Sequence, residues 1–449
     1  MTFISVGSPR HDIGAEDIKK YVKEALSLAL EEIVGSGISD AGKVLILPPD
    51  GTRFHSKAGY LTDVIAEQLA AQDRLGAIMP AVGTHMAMSK AEIQRMFPKS
   101  PHDTFLTHDW RNDVIELGRI DADWVHAISG GAVDYDCPMQ VNRILRDGDF
   151  SMIVSIGQVV PHEIMGMANH LKNVFIGTGG KELIDKSHYL GAVYGMERIM
   201  GHIDTPVRDV LDEGYLRFGY EIPPVLWVLT VVGPRTLDEE RHTGHPAGSL
   251  ALRGLFIGFG RNCYEQAAAL AQQVNMTILK DPIKKAIVYL DPSEYRTTWL
   301  GNKSIYRTRM AMADGGELIV LAPGLEKFGE DPELDALIRR YGYRPGAEIR
   351  EIVNREPDLA DSLSVAAHLI HGSSEGRFSV RYCPGPKMSR EEIESVGYEW
   401  GDLDEMMKLY SPEKMQSGWN NIKGEHVFYI SNPALGLWAN ENRFYQYEL

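Results

Sequence analysis

Apolar residues recur at helical spacing through Ile18, Val22, Leu26 and Leu30, which predicts a helix over residues 15–35. Lys43 to Leu47 is a short apolar run that suits a buried strand, and it ends in the turn signal Pro48-Pro49-Asp50-Gly51. A helix from about Tyr60 to Ala71 and a strand from Ala77 to Val82 follow. Strand, loop, helix and strand in that order are the grammar of a parallel sheet. Further strands are predicted at Phe150 to Ile156, Val225 to Val232 and Leu252 to Ile257, with helices over 190–218 and Arg261 to Gln273. Beyond these, a strand opens at Ala286 to Tyr289. Helices are predicted near 303–313, 332–341 and 362–370, with a strand at 317–322.

The pattern defines an α/β protein. Its 449 residues and 44% hydrophobic content exceed what one ordinary domain needs. The composition changes near 274–284, so we expect an N-terminal domain over 1–278 and a C-terminal α/β domain over 279–420, each with a mainly parallel sheet flanked by helices. Residues 421–449 turn aromatic and Asn-rich and are expected to return to the first domain.

Charge narrows the function. Lys plus Arg total 46 against 62 Asp plus Glu, a formal net charge of -16. No basic stripe for nucleic acid is present. An acidic field also repels anionic substrates, so any carboxylate substrate needs local cations. Three scattered cysteines, Cys137, Cys263 and Cys383, argue against a disulfide framework or a cysteine zinc site. The N-terminus lacks a basic stretch followed by an apolar one, and the most apolar run is too short to span a membrane. A soluble, cytoplasmic protein is expected. The oligomeric state is not legible.

Two polar clusters fall at the carboxyl ends of predicted parallel strands, where ligands usually sit: Asp50-Gly-Thr52-Arg53 and Gly83-Thr-His85. His162-Glu163-Ile-Met-Gly166 begins like a zinc-protease motif, but glycine occupies the place of the second histidine ligand. Ile176-Gly-Thr-Gly-Gly180-Lys181 lacks phosphate-loop spacing and reads as a tight turn. No GxGxxG opens a helix after a strand, which argues against a nicotinamide-linked dehydrogenase.

Lys172 lies ten residues after His162, and His188 lies sixteen residues after Lys172. Taken with the DGTR and GTH clusters, this order and spacing resembles the nickel-dependent lactate racemase family. The likeness covers roughly residues 40–330. In that family a pyridinium mononucleotide with two thiocarboxyl groups holds nickel through S, C and S atoms. The resemblance implies that Lys172 attaches this nickel-pincer nucleotide covalently and that His188 supplies the fourth nickel ligand. It further implies that His85 and His162 are the acid/base pair, with Asp50 and Thr52 near the cofactor. Arg53, Lys303 and Trp299 would bind substrate, in an active site placed in the cleft between the domains. Here the stretch before the lysine is Met167-Ala-Asn-His-Leu171, unlike the family's usual glycine-rich run. Lys181, after Gly179-Gly180, is a rival anchor that breaks the spacing to both histidines.

The implied reaction is inversion at the α-carbon of a 2-hydroxy acid. Moving a hydride, rather than removing a proton beside a carboxylate, avoids a carbanion next to an existing charge. One histidine takes the hydroxyl proton while a planar ketone forms. The PPDGTRFHS stretch most resembles the sugar-acid branch of the family, which implies 2-epimerisation between D-gluconate and D-mannonate. His55, His108, Asp109, Trp110, Arg111 and Trp299 are candidate partners for the polyol chain. The alternatives are a racemase of malate, lactate or another short acid, and a non-catalytic binder of sugar acid or cofactor.

Overall fold

The computed structural model describes residues 1–37 and 42–447. It divides into two compact units, one comprising Met1–Ile184 and Ile203–Asn275, the other Asp185–His202 and Met276–Leu449.

The first unit is built on a six-stranded sheet. In chain order its strands are β1 (Thr2–Gly7), β2 (Lys43–Leu47), β3 (Leu75–Ile78), β4 (Phe150–Gln158), β5 (Val225–Pro234) and β6 (Leu250–Phe259). They lie side by side as β1-β6-β5-β4-β2-β3. β3, β2, β4 and β5 run parallel, while β6 is antiparallel to both of its neighbours. Val44, Leu45, Ile46 and Leu47 are fully buried on both faces, which is why β2 reads as an unbroken apolar run. The helix Ala15–Gly35 turns Ile18, Val22, Leu26, Leu30 and Ile33 onto this core, at the predicted spacing.

The second unit carries another six-stranded sheet, formed by Ile283–Tyr289, Met312–Ala322, Ser379–Pro384, Glu399–Trp400, Gly418–Ile422 and Glu425–Ile430. All its pairings are parallel except that between the last two strands. The C-terminal segment, expected to return to the first domain, clusters with the second unit. Glu425–Ile430 pairs with Ile283–Tyr289, and Leu437–Asn440 runs parallel to Met276–Leu279. Its last two residues lie outside the described residues. Residues 185–202, expected within 1–278, also cluster with the second unit. There Glu197 meets Arg377 at 3.0 Å and Arg309 at 3.4 Å, and His202 stacks on Phe444.

Three expected elements differ. The helix over 190–218 is broken into Lys181–Tyr194, Met196–Ile199 and Pro206–Phe218. Gly195 and Gly201 take left-handed φ values of 114° and 91°, and Thr205 with Pro206 starts the last piece afresh. The helix near 303–313 shrinks to Lys303–Tyr306, because the chain enters a strand at Met312. The strand at 77–82 starts earlier and stops at Ile78, since Pro80 has no N–H to offer a ladder.

Burying a side chain such as Ile46 contributes roughly 1.5–3 kcal/mol. Truncation also leaves a cavity, so Ile46→Ala should lower unfolding stability by about 2–5 kcal/mol. Urea denaturation followed by tryptophan fluorescence checks this, and a shift of the first unit's transition is the expected result.

Candidate active site

Three loops leave the carboxyl ends of the adjacent strands β4, β2 and β3, and they carry His162, Asp50 to Arg53, and His85. Neighbouring parallel strands bring segments that are remote in sequence to one edge of the sheet.

The Asp50 loop organises itself. Its carboxylate caps a short 3-10 helix, Gly51–Ser56, by accepting from the Thr52 N–H at 3.1 Å and from the Thr52 hydroxyl. The second carboxylate oxygen accepts from His85 Nδ1 at 2.8 Å. Burial pushes the Asp50 carboxyl up, but hydrogen bonding and charge from His85, aided by Thr52 and Arg53, outweigh it and leave it lowered. An ionised carboxylate only accepts, so His85 carries its proton on Nδ1, and the neutral ring's lone pair is on Nε2. The His85 side chain is 64% exposed and that of Asp50 11%, so the pair presents a usable imidazole over a buried anchor. Gly83 permits this loop's path. Its φ is +59°, and its N–H donates to Gly177 O at 2.9 Å.

His162 is oriented differently. It sits in a two-residue strand, Pro161–His162, paired antiparallel with Gly166–Met167. The turn between them aims two backbone N–H groups at the ring: Ile164 N–H and Met165 N–H donate to Nδ1 at 3.2 and 3.4 Å. Glu163 Oε2 stands 3.9 Å from the same nitrogen, too far for a hydrogen bond. His162 is buried.

Lys172 opens the short helix Leu171–Phe175. Asn169 and His170, just before it, both take left-handed φ values, 68° and 58°. Such strain costs about 1–3 kcal/mol per residue and persists only where the surroundings enforce it. Arg208, fully buried, donates to Met167 O at 2.8 Å and to Asn169 O at 3.4 Å. His170 lies between Trp227, tilted against it, and Tyr264, on which it stacks. Gly157 on β4 leaves room for the Asn169 side chain, since a Cβ there would lie 2.0 Å from its amide nitrogen. Asn173 ties the helix to the sheet edge through Leu47 O at 3.0 Å and Ser155 Oγ at 2.9 Å.

These contacts hold the Lys172 amine in a desolvated place. Burial, then the Arg53 charge, push its pKa down to about 8, against the opposing pull of Glu163 and Asp50. Neither the Arg53 guanidinium nor the Lys172 amine has a hydrogen bond or ion pair among the described residues. The first unit thus supplies an anchored imidazole, a buried second imidazole, an amine of lowered basicity and an available guanidinium.

His188, Trp299 and Lys303 belong to the second unit. His188 lies on the helix Lys181–Tyr194, with Ser187 Oγ 3.4 Å from its Nδ1. Trp299 packs against His368 with ring centres 4.3 Å apart, and the Lys303 amine stands 6.0 Å from the Tyr295 ring centre. Among the proposed polyol partners, His108 is buried. Its Nε2 donates to Gly179 O and its Nδ1 accepts from Asn142, so it braces the fold. Among the described residues no group of three or more His, Cys, Asp or Glu side chains converges to hold a metal by itself. No helix among them is long and apolar enough to cross a membrane. Arg208, Asn173 and Tyr264 escaped the sequence reading because each acts over a long separation and none stands in a motif.

Residues 2–199, the stretch that carries these first-unit site residues except Arg208, Trp227 and Tyr264, match the family model of the lactate racemase N-terminal domain. No curated protein matches the chain. Solved structures share its fold, two of them at high coverage. A protein from Thermotoga maritima is 22% identical with a TM-score of 0.75, over 97% of this chain and 100% of that one. The lactate racemase apoprotein from Thermoanaerobacterium thermosaccharolyticum is 15% identical with a TM-score of 0.67, over 98% of this chain and 100% of that one.

The lowered lysine has a consequence for stability. Below about pH 8 the amine is charged in both folded and unfolded chains, and its burial costs in full. Between about 8 and the ordinary 10.5 the folded protein has released a proton that the unfolded chain still holds, so this contribution rises with pH. The stability of the wild type relative to Lys172→Met should therefore rise through that window, as measured by urea denaturation at a series of pH values. A difference that is flat with pH would show an amine of ordinary basicity.

Proposed function

We propose that this protein is a racemase or epimerase of a 2-hydroxy acid that works with a nickel-pincer nucleotide, and that its substrates are D-gluconate and D-mannonate. The observation that carries the reading is the desolvated Lys172 amine beside Arg53, set among the loops of Asp50, His85 and His162 at one sheet edge. The family match over residues 2–199 supports it.

The residues fit such a group. A covalent anchor needs an amine that is neutral for part of the time near working pH, and a lysine lowered to about 8 meets that need. Lys172 would hold the cofactor through a thioamide, and His188 would supply an imidazole nitrogen to nickel, a metal that imidazole suits. When bound, the cofactor supplies a pyridinium carbon that accepts a hydride and gives it back.

The protein's own side chains do the rest. Arg53 offers its charge to the substrate carboxylate and offsets the acidic field of the chain. Lys303 and Trp299 are assigned to the substrate as well. His85, kept in its Nδ1–H form by Asp50, takes the hydroxyl proton at Nε2. His162 is the second imidazole of the site. Asp50 and Thr52 hold the loop on which His85 depends.

Cofactor-loaded protein incubated with D-gluconate should yield D-mannonate, resolved by chromatography. If gluconate is untouched while malate or lactate racemises, the substrate assignment is wrong. His188→Ala should lose nickel, read by elemental analysis, while His85→Ala keeps nickel and loses activity. An absence of turnover with every 2-hydroxy acid, in protein shown by intact mass to carry an adduct on Lys172, would end the reading.

A further inference from the structure

Trp299 is fixed at both ends, although it stays partly exposed. Its N–H donates to Phe328 O at 2.9 Å, and the hydroxyl of the neighbouring Thr298 donates to the same oxygen at 3.0 Å. Phe328 is itself held, since its N–H donates to Asp335 at 2.7 Å. At the other end the indole packs against the His368 ring, with centres 4.3 Å apart and planes inclined by 32°. His368 Nε2 lies 3.0 Å from the Tyr343 hydroxyl, which lies 2.7 Å from the Thr298 hydroxyl. The contacts therefore close into a ring of Thr298, Tyr343, His368 and Trp299, all within the second unit. We propose that His368 is a positioning residue that holds the Trp299 indole as a rigid platform for the carbon chain of a polyhydroxylated 2-hydroxy acid. This rests on the racemase reading above and on its assignment of Trp299 to the substrate.

Thr298, Tyr343 and His368 are buried, and Trp299 is the member of the ring that keeps surface for a ligand. A loosely held aromatic side chain loses rotamer freedom when a ligand orders it. Here the fold has already taken that loss, so contact with the indole costs less at the moment of binding. His368 suits the backing role. An imidazole is flat enough to pack against an indole and polar enough to be pinned by the Tyr343 hydroxyl. It stands on the helix Leu363–His371, whereas Trp299 stands on the short helix Thr298–Gly301, started by Thr297, whose hydroxyl accepts from Leu300 N–H at 3.3 Å. Lys303 opens the next short helix, Lys303–Tyr306, so an ammonium and an aromatic face come from adjoining turns. Together they match an acid with a long hydroxylated chain. The ammonium takes the carboxylate, and the C–H face of the chain, apolar although its hydroxyls are not, covers the indole. Lactate offers such a surface one methyl group. A sugar acid offers several carbons, so the platform separates long acids from short ones.

The test uses cofactor-loaded full-length protein. KM and kcat are measured with D-gluconate, and the Kd values of D-gluconate and lactate by titration calorimetry in the His85→Ala background, where turnover does not intrude. Trp299→Leu should raise KM and Kd for D-gluconate about tenfold and leave kcat within about threefold. His368→Ala and His368→Leu, at a position behind the indole, should do the same. His368→Phe keeps a flat ring there and should recover most of the loss. The Kd of lactate should stay within about twofold throughout. Urea denaturation reports folding, and if His368→Ala does not fold, the Phe and Leu variants carry the comparison. Unchanged D-gluconate binding in folded His368→Ala or His368→Leu protein overturns the proposal and leaves His368 a packing role. So does a Phe variant no better than the Leu variant. If wild-type protein inverts a short acid but does not bind D-gluconate, the platform falls and the racemase reading stands. If the binding series holds while loaded wild-type protein inverts no 2-hydroxy acid, the racemase reading falls and the platform stands.

Discussion

A lysine amine whose basicity is lowered by burial and by a guanidinium's charge is the constraint on which the site depends. Lys172 reaches this state through backbone geometry. Two consecutive residues adopt left-handed conformations that non-glycine residues avoid, and the fold holds them there. Arg208 caps the carbonyls of the turn, and Trp227 and Tyr264 enclose the His170 ring. Each partner comes from a different element, so the strain is distributed over the first unit's core. The lowered basicity is a property of that whole arrangement.

The electrostatics of the site invert those of the molecule. The chain carries a formal net charge of -16, yet Arg53, Lys172 and Arg208 gather in the first unit near the edge of one sheet. An anion repelled at long range meets a local cationic field at short range, where desolvation makes charge count for more. Asp50 is the exception among them. It remains ionised in spite of burial because His85, Thr52 and Arg53 all favour the charged form. That single carboxylate sets the tautomer of His85, the start of the Gly51–Ser56 turn and part of the balance on Lys172.

The same residue type is thereby put to two uses. A carboxylate stands behind one imidazole and leaves its far nitrogen an acceptor, whereas backbone N–H groups donate to the near nitrogen of the other. The first arrangement requires a long-range contact between residues 50 and 85. The second is local, produced by the tight turn at residues 163–165. A histidine's chemistry is thus decided at the nitrogen it does not use.

Much of this was legible in the residues alone. The apolar run of β2, the helical spacing of Ala15–Gly35 and the α/β alternation follow from short-range burial patterns, which translate directly into elements. The loops of Asp50 and His85 could be placed at strand ends because turn residues and apolar runs mark those ends. Other features depended on partners distant in the chain. Residues 185–202 and the C-terminal segment cluster with the second unit through ion pairs and strand pairing that no local pattern announces. Sequence determined which chemistry-bearing residues the protein owns and the order in which they come. Tertiary structure decided what each could do, because proton location and amine basicity are set by neighbours across tens to hundreds of residues, and distance along a chain carries no information about distance in space.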